Sequence, residues 1–533
     1  MSQEKFLKIK DRKTTVLMNN HINKKSFVFA LLSLLFCLKK TLLLHKLNPD
    51  MADSGLKKKT TVSLFWSFLD KFGQQMLNFA SMLILMNIVT AEDYGLVGSL
   101  AVFVAFSTIL IDSGFGRALL NRKDLTQTDY TTVFYFNISL SFVLYLLFFF
   151  TAPLLGKMFH APAITSVVRI LFLSLIFNAF GLIHQTILTK KANFKGLTQV
   201  NTLSLLFSDV VAVVMAIAGY GVWALVAQTL LYAFFRSLFL WVYSPWRPIA
   251  RFSRKSLGTF FAFSNKLLSA SVISTTVNNI YPSLIAAFYP MSQVAYFNQA
   301  KKYQDIPFLT LANTFRTVAM LILSEINEQT ERLKRVVSKI IKSIAFLSFP
   351  IGLTMIVIAE PTFHLLFKEK WLAAVPYFQI LTFAGMLSPF IFIFQELFIA
   401  KENSKFFLGI EVAKGVLLIL LIVLLFPHGI TALAVSWIIY MVISLIISVM
   451  LTGKLIRYTL FHLIKDIGPY LLLAIISSAV SFLLTMKIGN NVVFIILNLV
   501  ITGTSYILLC KLFKLEMLKE IEYWFEKRKK EKK

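Results

Sequence analysis

Asp70 and Lys71 stand inside a run, Phe65–Thr90, that otherwise has the length and apolarity of a membrane-crossing helix. An ammonium group in such a place suits one kind of chemistry, holding an anion in a partly dry site. Counted from Thr61 at about 1.5 Å per residue, Lys71 lies roughly 15 Å deep, near the middle of a ~30 Å hydrocarbon layer. A charge at that depth costs at least about 2.5–3.5 kcal/mol, so it should face a partner or a wet cavity and not lipid. Gln74, Gln75, Asn78 and Ser81 continue a polar stripe along one helical face. The pattern returns 195 residues later, where Phe68-Leu-Asp70-Lys71 reads against Phe263-Ser-Asn265-Lys266. Ser269, Thr276 and Asn279 extend the second stripe. Each half of the chain therefore places a lysine near mid-membrane.

Further charges recur in the apolar runs. Lys301, Lys302 and Asp305 cluster at i, i+3/i+4 spacing just before Pro307, which can kink a helix. Asp305 and Arg316 are three turns apart and share a face. Lys71, Lys266, Lys302 and Arg316 are read as cavity cations that bind substrate, and Asp209 and Asp305 as carboxylates for ion coupling. The alternatives are structural: an ion pair for the lysines, snorkelling for Arg316, a packed carboxylate for Asp209. Arg169, Arg236 and Glu396 lie nearer helix ends and read as interfacial anchors. No catalytic residue, cofactor or metal is expected. The seven histidines form no constellation, Cys37 and Cys510 lie far apart, and no G-x-x-x-x-G-K-[ST] phosphate loop occurs.

The elements that must position these groups follow from composition. The chain is 533 residues long and 57% hydrophobic, which places it among polytopic membrane proteins. A net charge of +28 would suggest nucleic acid in a soluble protein. Here the basic residues fall mostly in short loops between apolar spans, so no nucleic-acid partner is expected. Fourteen helices are read, at about 62–90, 94–113, 131–155, 163–188, 198–219, 221–243, 257–288, 293–323, 338–359, 372–399, 404–426, 429–452, 467–486 and 491–511. With Met51 in the cytoplasm, inside segments hold 32 Lys/Arg and outside loops four, Lys157, Lys368, Lys370 and Lys487. That bias puts both termini in the cytoplasm.

The expected fold is an all-α integral membrane protein of two six-helix parallel repeats plus two C-terminal helices. Residues 1–50 read as an extension outside the fold, 51–245 as the first bundle and 246–256 as a basic linker. Residues 257–453 form the second bundle, 454–511 the two extra helices and 512–533 a basic tail. Lys191-Ala-Asn193-Phe-Lys195 matches Lys401-Glu-Asn403-Ser-Lys405, Gln185 matches Gln395, and Tyr232 falls on Tyr440. Gly221-Val-Trp-Ala-Leu-Val matches Gly429-Ile-Thr-Ala-Leu-Ala. Six helices separate each pair, so the repeats share one orientation and an axis along the membrane normal.

Five short motifs follow in order: Glu92-Asp-Tyr-Gly95, Asp112-Ser-Gly-Phe-Gly-Arg-Ala118, Gly219-Tyr-Gly-Val-Trp-Ala-Leu-Val226, Ala295-Tyr-Phe-Asn-Gln-Ala300 and Trp371-Leu-Ala-Ala-Val-Pro376. By these, between about Leu56 and Thr485, the chain resembles the Wzx-type polysaccharide exporters, closest to the colanic-acid-exporter branch, of the multidrug/oligosaccharidyl-lipid/polysaccharide superfamily. Met320-Leu-Ile-Leu-Ser324 departs from the phenylalanine-proline pair usual before the cytoplasmic loop. The resemblance implies a monomeric flippase of the bacterial inner membrane, moving undecaprenyl-diphosphate-linked oligosaccharide for O-antigen, capsule or exopolysaccharide. Its partners would be that lipid-linked oligosaccharide, membrane lipid, a polysaccharide polymerase and glycosyltransferases. Two alternatives are a drug/cation antiporter of the same superfamily, which would want cavity carboxylates, and a membrane-embedded polymerase or acyltransferase. The enzyme reading would want a long external loop or an intramembrane histidine.

Overall fold

A computed structural model describes residues 73–519 apart from 113, 123, 326–328 and 401–403. Nearly all of it is helix. The first half holds α1 (73–88), α2 (Ala91–Gly98), α3 (Ala101–Asp112), α4 (Phe115–Asn121) and α5 (Gln127–Met158). It continues with α6 (Ala163–Leu171), α7 (Leu173–Lys190), α8 (Phe194–Ile217) and α9 (Val222–Tyr243). The second half runs through α10 (Arg254–Phe288), α11 (Met291–Glu325), α12 (Thr330–Val357) and α13 (Ala359–Phe367). A 3-10 segment, Glu369–Ala374, leads to α14 (Val375–Gly385), α15 (Ser388–Ala400), α16 (Ser404–Leu425) and α17 (Ile430–Ile456). Last come α18 (Leu460–Thr485) and α19 (Asn491–Leu512).

Eleven helical segments among the described residues are long and apolar enough to cross a membrane. α10 and α11, at 35 residues each, are the longest helices described, and polar residues interrupt the apolar runs of both. A helix of that length reaches about 52 Å, more than a bilayer core needs. Its polar face must therefore be shielded by protein or water, and these two helices lie at the junction of the halves. α3 packs along α10 and α2 along α11, while α10 also contacts α16.

Local chemistry explains the motifs noted above. Gly221 and Gly429 stand at φ 51° and 90°, immediately ahead of α9 and α17, in conformations that a side chain resists. Asn193 caps α8 by accepting from the Gly196 amide at 3.0 Å, which accounts for one asparagine of the paired lysine motif. Asn403, its counterpart, lies outside the described residues. A Cβ on Gly95 would overlap the Met291 carbonyl, so glycine there lets α2 and α11 touch backbone to backbone.

Several boundaries differ from the hydropathy reading. α12 begins at Thr330, not 338, because its first turns carry basic residues beyond the apolar run. Further along the same helix, Lys342 pairs with Asp466 of α18 at 3.6 Å and with Glu516 at 2.6 Å. Two short helices, α4 and α13, fall where loops are expected. They are too short to leave a periodic signal.

Candidate functional site

The helices present two ends, one bearing the 244–253 linker between the halves and one opposite. At the opposite end the halves are latched. Trp371, fully buried, donates its indole N–H to the Met86 carbonyl at 2.9 Å. Lys370 Nζ donates to the carbonyls of Asn87 at 2.9 Å and Val89 at 3.1 Å, and Asn87 Nδ2 reaches the Leu366 carbonyl at 2.8 Å. Lys370 thus caps the C-terminus of α1 with a positive charge, where orphan carbonyls and the helix dipole both favour one. The rings of Tyr94 and Tyr296, one from each half, meet Trp371 edge-on at 5.5 and 5.8 Å. Ser283 Oγ bonds the Ser99 carbonyl at 2.5 Å. Much of the motif set carrying the family resemblance (Tyr94, Gly95, Tyr296, Trp371) is this latch.

Toward mid-helix the junction becomes polar. Asp209 of α8 is 8% exposed and accepts a hydrogen bond from Gln228 Nε2 of α9 at 2.8 Å. The same amide donates to Ser81 Oγ of α1 at 3.0 Å, and the Ser81 hydroxyl bonds the Asp209 carboxylate. Three helices of the first half converge on one carboxylate. Facing it from the second half is Lys302 of α11. Lys302 is exposed and within electrostatic reach of Asp209. Counted from Met291, Lys302 lies about 16 Å along its helix, and Asp209 lies about 12 Å from the end of α8 at the same face, so their depths agree.

The neighbouring charges are engaged. Lys301 pairs with Asp305 at 3.1 Å and lies 4.9 Å over the Trp437 ring, while Gln304 also bonds Asp305. Arg316, 39% exposed, is paired with Glu396 of α15, which is 3% exposed. Glu396 is thus a buried ion-pair partner, not the interfacial anchor expected from its place near a helix end. Arg236 donates to Asn201 Oδ1 at 3.0 Å, and Arg169 lies 4.6 Å over the Phe149 ring. Lys71 lies outside the described residues. Lys266 lies on α10, about 18 Å from the start of that helix.

One cluster escapes sequence reasoning. Glu411 and Lys414 of α16 form a 3.1 Å ion pair with side chains 5% and 3% exposed, and Gln395 Nε2 donates to Glu411 at 2.8 Å. The i, i+3 spacing of opposite charges inside an apolar run is the signal that marks it. The Gln395 bond ties α15 to α16 through this buried pair.

A family model described as polysaccharide biosynthesis protein matches residues 84–376. Among curated proteins, the chain is 27% identical to the teichuronic acid biosynthesis protein TuaB of Bacillus subtilis, over 53% of this chain and 59% of that protein. It is 24% identical to the lipopolysaccharide biosynthesis protein WzxC of Escherichia coli, over 62% of this chain and 68% of that one. The chain therefore spans only part of the length of the first of these relatives. Among solved structures, the lipid II flippase MurJ, in an inward closed conformation, superposes with a TM-score of 0.72 at 14% identity. The match covers 85% of this chain and all of that one, and the likeness is one of fold.

Proposed function

We propose that this chain, which belongs to the family of polysaccharide biosynthesis proteins, is a flippase for undecaprenyl-diphosphate-linked oligosaccharide repeat units in a bacterial inner membrane. The observation that carries the reading is the polar centre of the helical core, where Gln228 bonds both Asp209 and Ser81 and Lys302 is exposed at a similar depth. A sugar hydroxyl dragged unpaired through hydrocarbon costs roughly 2–7 kcal/mol, so a polar head group needs a hydrated path while its lipid tail stays in the bilayer. A junction lined by a lysine and by hydroxyl and amide groups would offer such a path, and moving the head group requires no bond to be made or broken.

In this reading Lys71, Lys266, Lys302 and Arg316 bind the anionic head group, with Arg316 exchanging its Glu396 partner for substrate. Asp209 and Asp305 are the carboxylates through which a proton or sodium ion would couple. The basic linker end faces the cytoplasm, both termini lie there, and the chain crosses fourteen times as a monomer. Glycosyltransferases supply the substrate and a polymerase receives it.

The test is a deletion strain. Lipid-linked repeat units should accumulate on the cytoplasmic leaflet and surface polysaccharide should disappear, with both reversed by the intact gene. A deletion that stops surface polysaccharide without accumulating the lipid-linked intermediate would point to an earlier step and sink the reading.

A further inference from the structure

The linker between the halves, residues 244–253, is held in place by side chains of the first half. Gln127 of α5 donates its amide to the Arg247 carbonyl at 2.8 Å and accepts the Trp246 indole N–H at 2.9 Å. Further on, the Ser253 amide donates to Thr132 Oγ1 at 3.0 Å. Trp246 is buried, and the Arg247 guanidinium turns back to the Ser244 and Trp246 carbonyls, 5.2 Å from the centroid of the Trp241 ring. Pro245 and Pro248 fix two backbone angles of the same segment. The linker is therefore a mounted surface and not a slack tether.

That surface is amphipathic. Ile249 is 82% exposed, the most exposed large hydrophobic side chain among the described residues, and Phe252 is 46% exposed. Around them in sequence stand Arg251, Arg254 and Lys255, all exposed, and no acidic residue occurs from 244 to 258. Arg254 and Lys255 fall in the first turn of α10, where the helix dipole opposes a cation, so they do not serve the helix they begin. The segment also follows directly on α9, an apolar helix long enough to span, whose Val242 in the last turn is 71% exposed. Ile249 thus stands close to the level at which a spanning helix leaves the hydrocarbon.

We propose that the linker is an interfacial anchor for anionic phospholipid. Ile249 and Phe252 enter the boundary between head groups and acyl chains, and Arg251, Arg254 and Lys255 meet the lipid phosphates. Exposed apolar side chains set among cations match that boundary on both counts, hydrocarbon on one side and negative charge on the other. The rigid mount lowers the ordering cost of the contact. Because the same segment opens α10, the anchor holds the start of that helix at a fixed depth. It does so whatever cargo the protein carries, and so stands apart from the flippase reading.

The test uses the full-length protein, carrying Cys37→Ser and an Ala250→Cys reporter, in nanodiscs of phosphatidylcholine with or without phosphatidylglycerol. Cys510, the other cysteine, is fully buried. An uncharged polyethylene glycol maleimide should label position 250 at least about fivefold more slowly in the anionic discs, the scale of one Lys/Arg at such a surface. Arg251→Gln, Arg254→Gln and Lys255→Gln together should bring the two rates within about twofold. Ile249→Ser with Phe252→Ser should quicken labelling in both kinds of disc. Removing three charges elsewhere, by Arg332→Gln, Lys334→Gln and Arg335→Gln at the start of α12, should leave the difference in place. Equal rates in the two discs with the linker intact overturn the proposal, and so does labelling that the serine changes leave as slow as before. A difference that survives the linker changes, or that the α12 changes abolish as well, also overturns it, because the charge of the whole face would then be acting.

Discussion

Replacing Glu411 by glutamine should be among the most damaging single changes in the second half, although it touches no substrate. The pair it breaks is 3.1 Å long, its lysine side chain is 3% exposed, and Gln395 also donates to Glu411 at 2.8 Å. Lysine at that burial has no route to water. Removing its partner leaves an uncompensated buried ammonium, which costs about 3–5 kcal/mol, a large share of the 5–15 kcal/mol that typically separates folded from unfolded protein. Replacing both residues removes the stranded charge as well. Glu411→Gln with Lys414→Met should therefore lie near the wild type or above it by about 1–4 kcal/mol. The assay is denaturation in mild detergent together with abundance in the membrane. Glu411→Gln should lose both, and the double variant should recover both along with export. If the single variant is as stable as the wild type, or the double variant is as unstable as the single, the pair does not carry the energy assigned to it.

Lys71→Ala and Lys266→Ala should each abolish export at unchanged abundance, with Lys→Arg retaining part of it; normal export by both alanine variants would make the pair structural. Trp371→Phe removes one latch hydrogen bond, worth about 0.5–1.5 kcal/mol. It should therefore raise the reactivity of a Ser99→Cys variant, fully buried in the latched form, toward an external membrane-impermeant maleimide. Unchanged labelling would mean that the latch is not the barrier on that side. A phosphatase fused after Lys533 should be inactive and a fluorescent protein there bright, as a cytoplasmic C-terminus requires; the reverse would imply an odd number of crossings.

Apolar length reads directly into helices because no other unpaired backbone survives in lipid. α10 and α11 are legible too, as long apolar-rich runs interrupted by polar and charged residues. What spacing along one helix does not encode is the partner on another. The eleven-residue interval between Asp305 and Arg316 puts them on one face, yet Asp305 bonds Lys301 and Arg316 bonds Glu396. The latch is harder still to read, because its acceptors are the main-chain carbonyls of Met86, Asn87 and Val89, which every residue type possesses. Only its donors, Trp371 and Lys370, leave a mark on the sequence. The tryptophan stands in a motif of the family resemblance, whereas the lysine was counted merely as a loop charge.

The distribution of contacts between the halves bears on how the cleft works. At the end away from the linker, α1 and α2 meet the second half directly, through the latch and the backbone approach of Gly95 to Met291. Toward the linker end, the contacts among the described residues run through α10. Near its start, Ser256 Oγ bonds Asp129 of α5 at 2.5 Å and Phe260 packs on Phe115 of α4. Near its other end, Tyr281 bonds Ser436 of α17 at 2.6 Å and meets the Trp437 ring at 5.5 Å. α10 thus holds the first half at its start, and at its other end holds the second half through Tyr281 and the first through Ser283. Separating the halves at the end away from the linker would therefore break the hydrogen bonds of Lys370 and Trp371, whereas at the linker end it would break the contacts that Ser256 and Phe260 of α10 make with the first half.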